Sequence, residues 1–133
     1  MIGVLLLGHA RIASETKQAV EHILGTQSQF QAIDIINSDM PDTEDAGLST
    51  ALEHLNQGQG VLILVDLLGA TPWNMVNRVT DNQHVVLLSG FNVPAVIRAI
   101  SMRQDCTDLN QLAQSSVEAG KHYMRLQVAD LKP

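Results

Sequence analysis

Two stretches of this chain are apolar almost throughout, Ile2 to Leu7 and Val61 to Val65. Neither alternates with polar residues, the pattern of strands buried on both faces of a parallel sheet. Between them the period changes. Ile12, Thr16, Val20, Ile23 and Leu24 recur at helical spacing and stop at Gly25. Ala32 to Ile36 predicts a short strand, and the polar stretch Asn37 to Asp45, with Pro41, a loop. Leu48, Ala51, Leu52 and Leu55 then share one helical face, in a helix closing at Gly58.

After Val65 comes Asp66, and Thr71-Pro72 reads as an N-cap followed by proline in the first helical turn. His84 to Leu88 predicts another strand, closed by Ser89-Gly90. A helix from about Pro94 carries Val96, Ile97 and Ile100, and one from Asp108 carries Leu109, Leu112, Ala113 and Val117. The tail Tyr123 to Val128 differs, because Met124, Leu126 and Val128 alternate with polar neighbours as in a half-buried edge strand.

Strands alternating with helices predict an α/β three-layer sandwich, a largely parallel central sheet with helices on both faces. The length of 133 residues suits a single domain over 1–133, and 45% hydrophobic against 17% charged residues argues against disorder. A net charge of −6 disfavours nucleic acid and suits a partner with a basic face. Cys106 is the only cysteine, so no internal disulfide is expected. The first apolar run is too short for a membrane span and lacks the flanks of a secretion signal. A cytoplasmic protein without membrane insertion is expected.

In a doubly wound sheet, ligands gather at the carboxyl ends of the strands, where the strand order reverses. His9, Asp66 and Gly90 to Asn92 each follow a different predicted strand, so the fold can bring them to one edge. A carboxylate bonded to one imidazole nitrogen fixes the tautomer and frees the other as a nucleophile. In the segment DLLGATPWN, Gly69 permits a tight turn, Ala70 a close backbone approach, and Thr71 opens a helix whose free N–H groups favour an anion. Each residue also has a plain structural role: a solvated loop histidine, a turn aspartate, an N-capping threonine. Together they suggest phosphoryl chemistry, although the chain has neither a Walker loop nor a dinucleotide glycine fingerprint. His22, His54, His84 and His122 show no metal-ligand spacing with one another or with Cys106. No metal and no cofactor are expected. Trp73 reads as a packing residue, or as an indole beside the site that meets a partner.

The spacing of GHA near the start, LVDLLGATPWN in the middle and SGFNVPAV later resembles the mannose-family EIIA domain of the bacterial phosphoenolpyruvate-dependent sugar phosphotransferase system. The motifs run in order over nearly the whole chain, and the middle one is specific. The resemblance implies a phosphocarrier that takes a phosphoryl group from phospho-HPr and passes it to an EIIB partner. His9 would be the acceptor, Asp66 the residue that orients it, and Gly69, Ala70 and Thr71 the surroundings of the phosphoryl group. It also implies a homodimer that exchanges a C-terminal strand, here Tyr123 to Val128. The family's usual Thr-His-Gly is Gly8-His9-Ala10 in this chain, which removes one hydroxyl contact. No EIIB domain follows within the sequence, so the expectation is a free-standing EIIA meeting EIIB in trans, in sugar uptake or its regulation.

Two other functions compete. One is the related phosphocarrier serving dihydroxyacetone kinase, which the TPWN continuation disfavours. The other is a response-regulator receiver, which needs acidic residues after its first strand to hold magnesium, where this chain has Gly8, His9 and Ala10.

Overall fold

The computed structural model describes residues 1–36, 47–67, 74, 76–77 and 84–130. Its strands are β1 (Gly3–His9), β2 (Phe30–Ile35), β3 (Val61–Val65) and β4 (Val85–Ser89). Its helices are α1 (Ile12–Leu24), α2 (Leu48–Leu55), α3 (Val93–Met102) and α4 (Leu109–His122). The sheet runs β2-β1-β3-β4 and every pairing is parallel. The order reverses between β1 and β3, which places a crevice at their carboxyl ends.

The apolar runs are explained by two separate cores. Val4, Leu6, Leu62 and Leu64 point to one face, where α1, α3 and α4 cover them with Val20, Val96, Ile100 and Leu112. Leu5, Leu7, Ile63 and Val65 point to the other, beneath α2 with Leu48, Leu52 and Leu55. Val76, one of three described helical residues between β3 and β4, packs on this second face. Successive strand residues thus enter opposite layers, and a continuous apolar sequence fills both. No helix among the described residues is long and apolar enough to cross a membrane.

Several expectations shift. The strand expected at Ala32–Ile36 is Phe30–Ile35, and that at His84–Leu88 is Val85–Ser89. The α2 helix ends at Leu55 rather than Gly58. In α1 the buried line is Ala13, Val20 and half-buried Leu24, while Ile12 and Ile23 are exposed. Ala13 was overlooked because small residues carry little apolar signal, yet its size lets the helix lie close to the sheet. In α4, Val117 is 37% exposed, and Ser116 takes the core position beside it. That serine donates its hydroxyl to the Leu112 carbonyl at 2.9 Å, so its burial leaves no polar group unpaired.

The predicted edge strand does not form in the single chain. From Met124 to Asp130 the tail is irregular and exposed. A lone amphipathic strand has no ladder to join until another chain supplies one. The loop at Asn37 to Asp45 and the N-cap at Thr71-Pro72 lie outside the described residues.

At the opposite end of the sheet, Arg103 is buried just past α3. Its guanidinium donates to the carbonyl oxygens of Ile2 (3.1 Å), Gln29 (2.8 Å) and Ser28 (2.5 Å). These bonds tie the starts of β1 and β2 to the end of α3. Burial pushes its pKa down to about 10, so it remains charged at neutral pH.

Candidate functional site

His9 is the last residue of β1, and Asp66 follows the last residue of β3. The two strands are direct neighbours, with Leu7 opposite Val65. The switch point therefore holds both residues predicted from the sequence. The Asp66 carboxylate accepts the backbone N–H of His9 at 2.9 Å and that of Leu67 at 2.8 Å. It also meets His9 Nδ1, at 3.1 Å from Oδ2 and 3.2 Å from Oδ1. An ionised carboxylate has only acceptors to offer, so the neutral ring carries its proton on Nδ1 and presents the Nε2 lone pair. No described residue bonds Nε2.

The pair is graded from inside to outside. The Asp66 side chain is 12% exposed and the His9 side chain 41%. The carboxylate is anchored by two main-chain donors and cannot swing away without leaving them unpaired. Gly8 lets the start of α1 lie close to β1: a Cβ there would fall 3.2 Å from the Ala13 nitrogen, while its 3.5 Å approach to the Asp66 carboxyl carbon would be ordinary contact. Ala10 turns the chain into α1 with φ at +51°, a left-handed conformation that costs an alanine about 1 kcal/mol. Its N–H donates to the Ile35 carbonyl at 2.9 Å, which helps to hold that turn.

The sequence reading missed Asp34 and Ser14. Arg11, the N-cap of α1, makes no side-chain cap bond. Asp34 on β2, opposite Gly8, supplies the cap instead. It accepts the Ser14 N–H at 3.0 Å and the Ser14 hydroxyl at 2.6 Å. The signal was available, since Asp34 is a third polar residue at a strand's carboxyl end, but capping across elements cannot be seen in local spacing.

The third strand end also converges. Gly90 and Phe91 donate their N–H groups to the Val65 carbonyl at 2.9 and 3.2 Å, one residue before Asp66. Gly69, Ala70, Thr71 and Trp73 lie outside the described residues. Around His9, Ile12 begins α1, Ile36 follows β2 and Leu67 follows Asp66. All three are exposed, Ile36 at 71% and Leu67 at 64%. Among the described residues, no group of three His, Cys, Asp or Glu side chains is arranged to hold a metal.

The arrangement can present a nucleophilic imidazole nitrogen to another molecule and stabilise the positive ring that results. Comparison with known proteins identifies the family. A family model, EIIA-man, described as the PTS system fructose IIA component, matches residues 3–117. The PTS system mannose-specific EIIAB component of Escherichia coli (strain K12) is 28% identical over 121 residues, which is 90% of this chain and 38% of that protein. The chain thus spans well under half the length of that curated relative. The PTS system fructose-specific EIIA component of Bacillus subtilis (strain 168) is 26% identical over 105 residues, 78% of this chain and 72% of that one. Among solved structures, the mannose/sorbose specific IIA subunit of the phosphotransferase system from Enterococcus faecalis superposes with a TM-score of 0.80 at 22% identity, covering 98% of each chain. At that identity the superposition speaks for the fold.

Proposed function

The chain belongs to the EIIA-man family of sugar phosphotransferase components, and from that premise we propose that it is a phosphocarrier whose acceptor atom is His9 Nε2. The observation that carries this reading is the His9–Asp66 pair, in which Nδ1 is committed to a carboxylate and Nε2 bonds no described residue.

In the forward step, the Nε2 lone pair attacks the phosphorus of phospho-HPr. A bond forms from Nε2 to phosphorus, the bond from phosphorus to the donor breaks, and its electron pair leaves with the donor. The Nδ1 proton stays in place, so the phosphorylated ring is an imidazolium, and the Asp66 carboxylate stabilises its charge. Transfer to an EIIB partner reverses the same steps. Phosphoryl transfer depends chiefly on alignment and on stabilising charge over the equatorial oxygens. Gly69, Ala70 and Thr71 are assigned the second task by their place in the family's D-x-x-G-x-[ST]-P pattern.

Macromolecular partners are favoured by the surroundings of His9. Ile12, Ile36 and Leu67, on the segments next to His9 and Asp66, are exposed apolar residues, and a docked protein would relieve that exposure. The net charge of −6 suits partners with basic faces. We assign residues 1–133 to one cytoplasmic domain acting as a homodimer, with Met124, Leu126 and Val128 of one copy completing the sheet of the other. The test of the carrier role is incubation with phosphoenolpyruvate, Enzyme I and HPr. An acid-labile, base-stable phosphoryl group is expected on the wild type and none on His9→Ala; label persisting in His9→Ala refutes the assignment.

A further inference from the structure

The SGFNVPAV motif has no role in the chemistry above, yet its asparagine is bonded in two directions. Asn92 is the N-cap of α3, and its Oδ1 accepts the Ala95 N–H at 3.0 Å. Its Nδ2 donates to the Gly120 carbonyl, in the last turn of α4, at 2.9 Å. Capping uses only the oxygen, and serine or aspartate would provide it as well. The amide nitrogen serves the second contact. Gly120 makes that contact possible: a Cβ there would fall 3.0 Å from Asn92 Oδ1 and 3.2 Å from the Ala95 Cβ. Glycine inside a helix is unfavourable relative to alanine, so close approach is what it provides.

On its other side the same turn reaches the candidate site. Gly90 and Phe91 donate to the Val65 carbonyl, while the next residue, Asp66, donates its own N–H to the Leu7 carbonyl at 3.2 Å. The main chain at Asp66 is therefore clamped between β1 and the turn that Asn92 anchors to α4. We propose that Asn92 is a positioning residue for the His9–Asp66 pair: by pinning the Gly90–Asn92 turn against Gly120 it sets where the Asp66 carboxylate meets the imidazole. Only the kinetic consequence rests on the phosphocarrier reading.

Asn92→Asp separates the two bonds. The carboxylate keeps the cap, at a helix start that favours negative charge, but turns an acceptor toward the Gly120 carbonyl. Gly120→Ala disturbs the same contact from the opposite side. Imidazole nitrogen NMR on the full chain reads the His9 tautomer and bonding directly. Both variants are expected to fold and to displace the His9 nitrogen signals while leaving those of His22 and His54 in place. Phosphoryl transfer from phospho-HPr should slow by about two- to thirtyfold. Unmoved His9 signals in folded Asn92→Asp overturn the proposal, and if that variant does not fold, Gly120→Ala decides alone. Displaced His9 signals in variants of a chain that never takes label would refute the carrier reading and leave the positioning role standing.

Discussion

Replacing Asp66 with asparagine removes one charge and almost no volume, and it tests the site more sharply than alanine. One carboxylate oxygen accepts the Leu67 N–H at 2.8 Å, and the other accepts the His9 N–H at 2.9 Å. Whichever position the new NH2 group takes, a main-chain donor then faces a donor, at a cost of about 1–3 kcal/mol of stability. The larger effect falls on transfer. As Nε2 gains the phosphoryl group the ring becomes cationic, with a carboxylate oxygen 3.1 Å from Nδ1. At an effective dielectric constant between about 20 and 40, that attraction is worth about 3–5 kcal/mol. The exposed side of the ring favours the lower figure, since solvent screens the pair. About 3 kcal/mol corresponds to roughly a hundredfold in rate. We expect Asp66→Asn to slow loading of His9 by up to about that factor, because the cationic ring is made on entry; discharge starts from that ring and is slowed only as far as the lost contact misorients it. Rapid-quench exchange with purified phospho-HPr, free of Enzyme I, measures both directions. A folded variant transferring within about threefold of wild type would refute the reasoning.

At the same isolated step, chelating magnesium should leave the rate unchanged, because the proposed charge stabilisation comes from Asp66 and backbone N–H groups; an absolute magnesium requirement would contradict it. The full chain should sediment as a dimer at micromolar concentration, and Leu126→Asp should shift it toward monomer, whereas a wild-type monomer would rule out strand exchange. Arg103→Ala removes the guanidinium bonds to the carbonyls of Ile2, Ser28 and Gln29, the last of which keeps the Val4 N–H, and should cost about 3 kcal/mol in urea denaturation; a loss under about 1 kcal/mol would mean that water replaces the guanidinium. The Gln27 N–H and then Lys17 hold the Glu21 carboxyl below its ordinary value of 4.5, so its contribution is present above that pH and is lost as pH falls through the lower native value. Glu21→Gln should therefore destabilise by up to about 1 kcal/mol at neutral pH and by nothing in strong acid, a convergence that urea titrations at two pH values can check.

The parts of the fold that the sequence revealed are those where one residue's burial is decided by its own neighbours in the chain. The runs Ile2–Leu7 and Val61–Val65 had to be buried on both faces, and the face of Leu48, Leu52 and Leu55 could only point inward. His9 and Asp66 were legible for a related reason: each ends an apolar run, and the sheet order brings the ends of adjacent strands together. What stayed hidden depends on distant partners. Asp34 caps a helix from a different element, Arg103 reaches carbonyls more than 70 positions away in the sequence, and Asn92 divides its bonds between two helices. The tail was legible as amphipathic, but alternation states only that a face needs cover, and among the described residues of the single chain nothing covers it.

A carrier must hold its phosphoryl group against water and still release it to the right protein, and the two sides of the His9 ring divide these demands. On the Nδ1 side, both oxygens of Asp66 are committed to main-chain donors, which holds the carboxylate in place against the ring. Ile12, Ile36 and Leu67, on the segments next to His9 and Asp66, are exposed to solvent in the single chain. Docking a partner on that rim expels water and strengthens every charge interaction at the ring at the moment of transfer. In the proposed carrier, the enclosure that an enzyme builds into its own pocket would be shared between two proteins. On this reading, specificity for donor and acceptor rests in the fit of the rim, while the chemistry rests in a single hydrogen-bonded pair that serves both.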